Sequence, residues 1–285
     1  MTPIIRLPDS LGCTVASTSV VISLIEKYGE AKVVTPFREL LNNIENVKIT
    51  SPNIGENIKY DVDLRLYTSR RPHNNYPYRP SYIHMLEMAE ENLKIKLSRL
   101  KPKVNLTKLE LKYGETEVSK YKKPLIWYQS QATTSNRQWC KYKWNELVDS
   151  LSDKFSFIDL SLKSYSLRQS LSVSKACYAG ICLDSFMVHG SAAVEANNVI
   201  VILGSSRSEC VVYPRQYVLY KNSQCQFQPC GMHGYFNGCS VESEVHFSGK
   251  NCVYASPICM ESISIEHVKK ALYELTNSER EPVYD

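Results

Sequence analysis

The chain has 285 residues, of which 43% are hydrophobic, so it is long enough for two packed units of about 100–150 residues each. No run of 18 apolar residues interrupts it, which argues against a membrane span, and the first residues lack the basic-then-apolar order of a signal peptide, so a cytoplasmic chain is expected. The net charge of +5 is uneven: residues 1–123 hold 20 basic against 14 acidic residues, net +6, and residues 124–285 hold 14 against 15, net −1, so an anionic partner is expected at the first half.

The first half alternates strand and helix. "PIIRL" reads as a strand, residues 14–29 as a helix with Val20, Val21, Leu24, Ile25 and Tyr28 on one face, and "AKVVTP" as the next strand. A short helix over 37–44 and the strands "NVKIT" and "KYDVDLRLY" follow. This rhythm predicts a parallel sheet covered on both faces. A Pro- and Tyr-rich loop covers 68–82, an amphipathic helix runs near 83–93, and the Lys-rich stretch 94–123 is read with an edge strand around 107–113.

At Pro124 the pattern restarts. "PLIWYQS", "FSFIDLS", "CYAGICLDS" and "NVIVILGSS" read as strands, with helices "KYKWNELVDSLSD", "SLRQSLSVSKA" and "FMVHGSAAVEA" between them. The boundary is placed near Lys122–Pro124, giving an N-terminal unit 1–123 and a C-terminal unit 124–285. Residues 264–276 read as a closing helix, with Ser264 as N-cap and Glu266 in its first turn. Ligands of doubly wound sheets bind beyond the strand carboxyl ends, where helix N-termini favour anions.

Three strand-to-helix turns carry the candidate chemistry. The first, "RLPDSLGCTVAST", sets Cys13 directly after Gly12. The second, "SQATTSNRQW", offers the Thr133 and Thr134 hydroxyls and the Arg137 cation, a set suited to pyrophosphate or to plain helix capping. The third, "LDSFMVHGSAA", puts Asp184 and Ser185 at a strand end and His189 one turn into the next helix.

In these motifs the chain resembles the ADP-heptose-type glycosyltransferases, glycosyltransferase family nine. The resemblance rests on the first turn, on "ATTSNRQWCKYKW", on "DSFMVHGSAA" followed by "VIVILGSS", and on the Cys-rich segment "CQFQPC…GC…CMESI" before the last helix. It implies an α/β chain of the GT-B architecture, two facing Rossmann-like doubly wound domains. It implies an inverting transfer of a hexosyl, pentosyl or heptosyl unit from a UDP- or ADP-sugar to an acceptor hydroxyl. Thr133, Thr134 and Arg137 would hold the diphosphate, and Asp184, Ser185 and His189 would line the donor pocket. The N-terminal unit would bind the acceptor. Cations and helix N-termini would stabilise the leaving group, with no cofactor required for catalysis. Two positions depart from the pattern: Phe186 stands where the family has glycine, and Cys13 where it has its aspartate base. A thiol serves as a base only with a lowered pKa, so Asp9, in the same turn, is the second candidate.

Residues 65–84, "RLYTSRRPHNNYPYRPSYIH", interleave arginine and tyrosine with no acid. Arg70, Arg71, Tyr76, Tyr78 and Arg79 are read as the acceptor surface, because guanidinium forks bind phosphates and rings stack on bases or sugars. A polyanionic acceptor follows, DNA or a phosphorylated glycolipid. The interleaving leans towards a hydroxymethylated base in DNA of the phage-modification type; a lipopolysaccharide core or other glycan is the alternative, and an inactive nucleic-acid or glycan binder is another. Cys225, Cys230, Cys239 and Cys259 are the candidate ligands of a structural Zn or Fe, with Cys252, His233 and His246 nearby in sequence; free thiols and a disulfide stay open.

Overall fold

A computed structural model of the chain describes residues 2–51, 59–70, 75–162, 165–223, 225–230, 252 and 254–277. Two parallel sheets form. The first has four strands, β1 (Ile4–Arg6), β2 (Ala31–Val34), β3 (Val47–Thr50) and β4 (Val62–Asp63), in the order β3-β2-β1-β4. The second has five, β5 (Leu125–Tyr128), β6 (Ser156–Asp159), β7 (Ala179–Leu183), β8 (Val199–Leu203) and β9 (Tyr217–Tyr220), in the order β6-β5-β7-β8-β9. Every pairing is parallel. β7 and β8, "AGICL" and "VIVIL", are buried at every residue, as central strands covered on both faces must be.

The helices are α1 (Leu11–Tyr28), α2 (Ser81–Leu93), α3 (Lys108–Val118), α4 (Lys141–Leu151), α5 (Leu167–Ala176), α6 (Phe186–Ala193), α7 (Ser208–Val211), α8 (Ile258–Glu261) and α9 (Ile265–Asn277). α1 ends at Gly29 in the left-handed region, φ 78°, where its N–H donates to Ile25 O at 2.8 Å. α9 starts as expected, with His267 N–H donating to the Ser264 hydroxyl at 3.3 Å. No helix among the described residues is long and apolar enough to cross a membrane.

Two expected strands are corrected. The predicted edge strand at 107–113 is helix α3. Its Lys-Leu-Glu-Leu-Lys alternation imitates a strand, but Thr107 and Glu110 close a capping box that starts a helix. α3 packs on α5 so closely that a Cβ at Gly114 would stand 2.4 Å from Ser172 O; the Gly114 N–H donates to the Ser172 hydroxyl at 3.0 Å. The strand "KYDVDLRLY" shrinks to two residues, because the Asp63 carboxylate accepts from Arg65 N–H and turns the chain into a 3-10 helix, Leu64–Ser69.

Candidate functional site

The turn after β1 lies at the carboxyl edge of the first sheet. Arg6 is buried beneath it and donates to Leu7 O at 3.0 Å and Val34 O at 3.2 Å. The same guanidinium pairs with Asp9, whose side chain is 57% exposed. Asp9 therefore faces outward at the rim of the turn, held by a buried cation. Gly12 begins α1 against α6: a Cβ there would stand 2.9 Å from His189 Cδ2, so the close approach needs glycine. The Cys13 thiol lies 2.9 Å from the Tyr67 hydroxyl. Burial pushes the thiol above its ordinary value, although its bonds to Ser10 and Tyr67 pull the other way. It is a protonated thiol at neutral pH, not a base.

The second sheet contributes three turns beyond its strand ends. After β5, Arg137 Nε donates to the Thr134 hydroxyl at 2.7 Å, and Thr134 donates to Asn136 Oδ1 at 2.7 Å. Thr133 is exposed beside them. After β7, Arg137 Nη1 donates to Asp184 O at 2.9 Å and stands 3.9 Å from the Asp184 carboxylate. After β8, the Ser206 hydroxyl donates to Asp184 Oδ2 at 2.5 Å. Ser185 donates to Gln129. His189 is buried, and its Nδ1 shares a 2.8 Å hydrogen bond with the Tyr213 hydroxyl. Tyr213 in turn stacks on Tyr82 from α2, centroids 5.6 Å apart. The His189 pKa is lowered to about 4, chiefly by burial, with Asp184 opposing and the Arg137 charge assisting, so the imidazole is neutral. Thr134, Arg137, Asp184, Ser185 and His189 thus converge, and Cys13 lies near enough to feel the charges of Asp184 and Arg137.

The predicted acceptor residues are placed differently. Arg70 is buried, with Nη1 2.7 Å from Glu91 Oε2 and Nη2 3.2 Å from Glu87 Oε2. Tyr76 lies under the Arg70 guanidinium, 4.4 Å to the ring centroid. Arg79 pairs with Glu87. Tyr78 lies under Arg207, 4.5 Å to the centroid. Arg71 falls outside the described residues. Arg70 and Arg79, two of the three arginines that pointed to a polyanion, are neutralised by Glu87 and Glu91, which α2 supplies at an i, i+4 spacing.

No family model matches the sequence, and no curated protein does. Solved structures do match. ADP-heptose LPS heptosyltransferase II of E. coli superposes with a TM-score of 0.63 at 15% identity, over 97% of this chain and 99% of that one. The glycosyl transferase family 9 protein of Veillonella parvula gives 0.69 at 12%, over 96% of each. The iron-containing dodecameric glycosyltransferase TibC of enterotoxigenic E. coli gives 0.67 at 13%, over 98% of this chain and 77% of that one, and it has also been solved with ADP-D-beta-D-heptose. The fold is GT-B.

In this GT-B chain several residues join the site that sequence reasoning missed. Tyr67 and Tyr82 lie in the arginine- and tyrosine-rich stretch but outside the five residues read as its acceptor surface, and nothing in the spacing of Tyr213 marks it. Ser206 had a signal: "GSSRS" directly follows the buried strand "VIVIL", where a ligand turn belongs. The cysteine set is described only in part. Cys239 lies outside the described residues. Cys225, Cys230 and Cys252 lie near Cys259, whose thiol burial pushes up to about 12, with the other three adding to the rise. Cys230 is pushed up to about 11, mainly by burial. Among the described residues no group of three or more His, Cys, Asp or Glu is arranged to hold a metal ion.

Proposed function

We propose that this chain is an inverting glycosyltransferase that moves a sugar from a nucleotide-diphosphate sugar to an acceptor hydroxyl. The reading is carried by the convergence of Thr134, Arg137 and Asp184 at the carboxyl edge of one parallel sheet, against the Gly12 turn of the other. The structural neighbours named as ADP-heptose enzymes favour an ADP-sugar as donor. The division of labour follows the expected boundary, acceptor on residues 1–123 and donor on 124–285, with α3 packed across that line on α5.

In the reaction the acceptor oxygen gives its proton to a carboxylate and attacks the anomeric carbon from the face opposite the diphosphate. The bond to the phosphate oxygen breaks, and the nucleotide diphosphate leaves with its electron pair. Arg137 stabilises the negative charge that develops there, assisted by the hydroxyls of Thr133 and Thr134. Asp9 is the base: it is exposed at the mouth of the first turn, while Cys13 keeps its proton. His189, neutral and fixed by Tyr213, orients the donor without carrying charge. The cysteine cluster enters no step.

The acceptor is a glycan hydroxyl, as in the lipopolysaccharide alternative. The lean towards DNA drew on Arg70 and Arg79, which the fold pairs with Glu87 and Glu91. A second reading, a binding protein without catalysis, is favoured by one observation: the thiol at Cys13 and the Arg6 pairing of Asp9 leave no unengaged base in the first turn. One experiment separates the two. The protein is incubated with ADP- and UDP-sugars, and donor hydrolysis and thermal shift are measured. Stabilisation and slow hydrolysis with an ADP-sugar are expected; stabilisation without hydrolysis supports the binder, and neither response with any donor removes the enzyme.

A further inference from the structure

The turn after β8, Gly204 to Ser208, holds two buried donors that have no hydrogen-bond partner among the described residues, the Ser205 hydroxyl and Arg207 Nε. Ser205 is fully buried. A buried donor without a partner costs on the order of 1–3 kcal/mol, so such groups usually await a ligand, ion or water. Arg207 is well placed for a ligand. Its guanidinium lies over the Tyr78 ring at 4.5 Å, and its side chain is 38% exposed. The carboxylate of Glu209 stands 4.0 Å away and is itself half in solvent. A guanidinium stacked on an aromatic face is fixed in plane while its N–H edge stays available for a bidentate contact.

The turn is also anchored and well located. Gln228 Nε2 donates to Gly204 O at 2.9 Å and to Lys221 O at 3.0 Å, clamping its base. Ser206, between the two unpartnered residues, donates to Asp184. Tyr78 comes from the acceptor half. The turn therefore touches the donor carboxylate on one side and the acceptor loop on the other.

We propose that Ser205 and Arg207 form a receptor for an oxyanion carried by the acceptor, a phosphate ester or a sugar carboxylate next to the reacting hydroxyl. The Arg207 Nε–H can only donate, and the Ser205 hydroxyl lacks an acceptor, so the missing group is an acceptor of hydrogen bonds. A negative one is favoured by the guanidinium charge. This replaces the polyanion-binding surface expected at residues 65–84 with a single anion site inside the crevice, and it rests on the glycosyltransferase reading only for calling the ligand an acceptor.

The test titrates the full chain with glucose 6-phosphate and, separately, with glucuronate, followed by calorimetry. Wild type binds one of the two, and the stronger names the source of the oxyanion. Arg207→Gln weakens that binding at least about tenfold, Arg207→Lys less, and Ser205→Ala by a few-fold. Should Arg207→Gln melt well below wild type, Arg207→Lys and Tyr78→Leu carry the test. Absence of binding by wild type, or equal binding by the Arg207 variants, overturns the proposal. Thermal shift with an ADP-sugar alone is unchanged by Ser205→Ala; loss of that shift in wild type would strike the donor reading and leave the oxyanion titration standing.

Discussion

Two arginine-bearing regions of the molecule behave in opposite ways. In residues 65–84 the described arginines are matched by carboxylates: Arg65 with Asp63, Arg70 with Glu87 and Glu91, Arg79 with Glu87. Beyond β5, Arg137 touches a hydroxyl and a backbone carbonyl, and the Asp184 carboxylate stands 3.9 Å from it. The first region is richer in cations and the second is the better anion site. Local composition counts charges; the fold decides which remain available, because helix α2 returns two acids to a stretch that contains none.

The comparison breaks first at the crevice. Replacing Asp9 by Asn should lower transfer by about 10³-fold while nucleotide-sugar binding persists, since a general base contributes on that order. The measurement is kcat with acceptor present, beside the thermal shift from donor alone. An active variant would move the base elsewhere in the crevice. Arg137→Ala follows, with kcat/KM for the donor reduced by about 10²-fold, the scale seen when one preorganised charge stabiliser is removed. An unaffected variant would mean that the diphosphate is held outside the β5 turn.

The next effect is on stability and is set by His189. Its folded pKa is about 4, below the ordinary value of 6.5. The unfolded chain therefore binds the proton more readily. Stability is full above about pH 6.5 and is lost as pH falls towards 4, by on the order of 3 kcal/mol. Denaturant midpoints between pH 4 and 7 should show this slope, and His189→Gln should flatten it. Arg70→Ala tests the other region. Its guanidinium is 7% exposed but Glu91 is 61% exposed, so solvent screens part of the pair; the loss should be about 2 kcal/mol, with the salt dependence of any DNA binding unchanged. A shallower salt slope in that variant would restore Arg70 as a phosphate contact.

Much of this was legible in sequence. The buried strands "PLIWY", "AGICL" and "VIVIL" announce parallel sheets because only strands covered on both faces lack alternation, and each is followed by a turn whose polar residues reach the crevice. Thr134, Arg137, Asp184 and His189 were found in that way. What was illegible depends on partners distant in sequence. Glu87 and Glu91 neutralise Arg70 and Arg79 from a helix, Tyr213 reaches His189 from a loop 24 residues later, and Thr107 with Glu110 overrides an alternation that reads as strand. Periodicity carries no information on such pairings.

Cys13 is where the two regions meet, and it carries the smallest prediction. It stands where the resemblance leads one to expect an aspartate, yet its thiol is raised by burial and bonded to Tyr67 at 2.9 Å, a residue of the arginine- and tyrosine-rich stretch. Tyr67 is itself buried and held well above its ordinary pKa, so neither group ionises near neutral pH. The pair packs the first turn of α1 onto the 3-10 helix Leu64–Ser69, and neither group gives up its proton near neutral pH. Cys13→Ser keeps a hydroxyl that can share a bond with Tyr67, at the cost of a slightly longer gap. Transfer should fall by no more than about threefold, with the pH–rate profile unmoved, because the essential base in that profile is a carboxylate. Cys13→Asp is the sharper companion: it sets a carboxylate beside Tyr67, near the charges of Asp184 and Arg137, and should shift the acidic limb of the profile. A large loss in Cys13→Ser, with a profile that follows the thiol, would transfer the role of base from Asp9 to Cys13 and make burial, not pairing, the feature that tunes this turn.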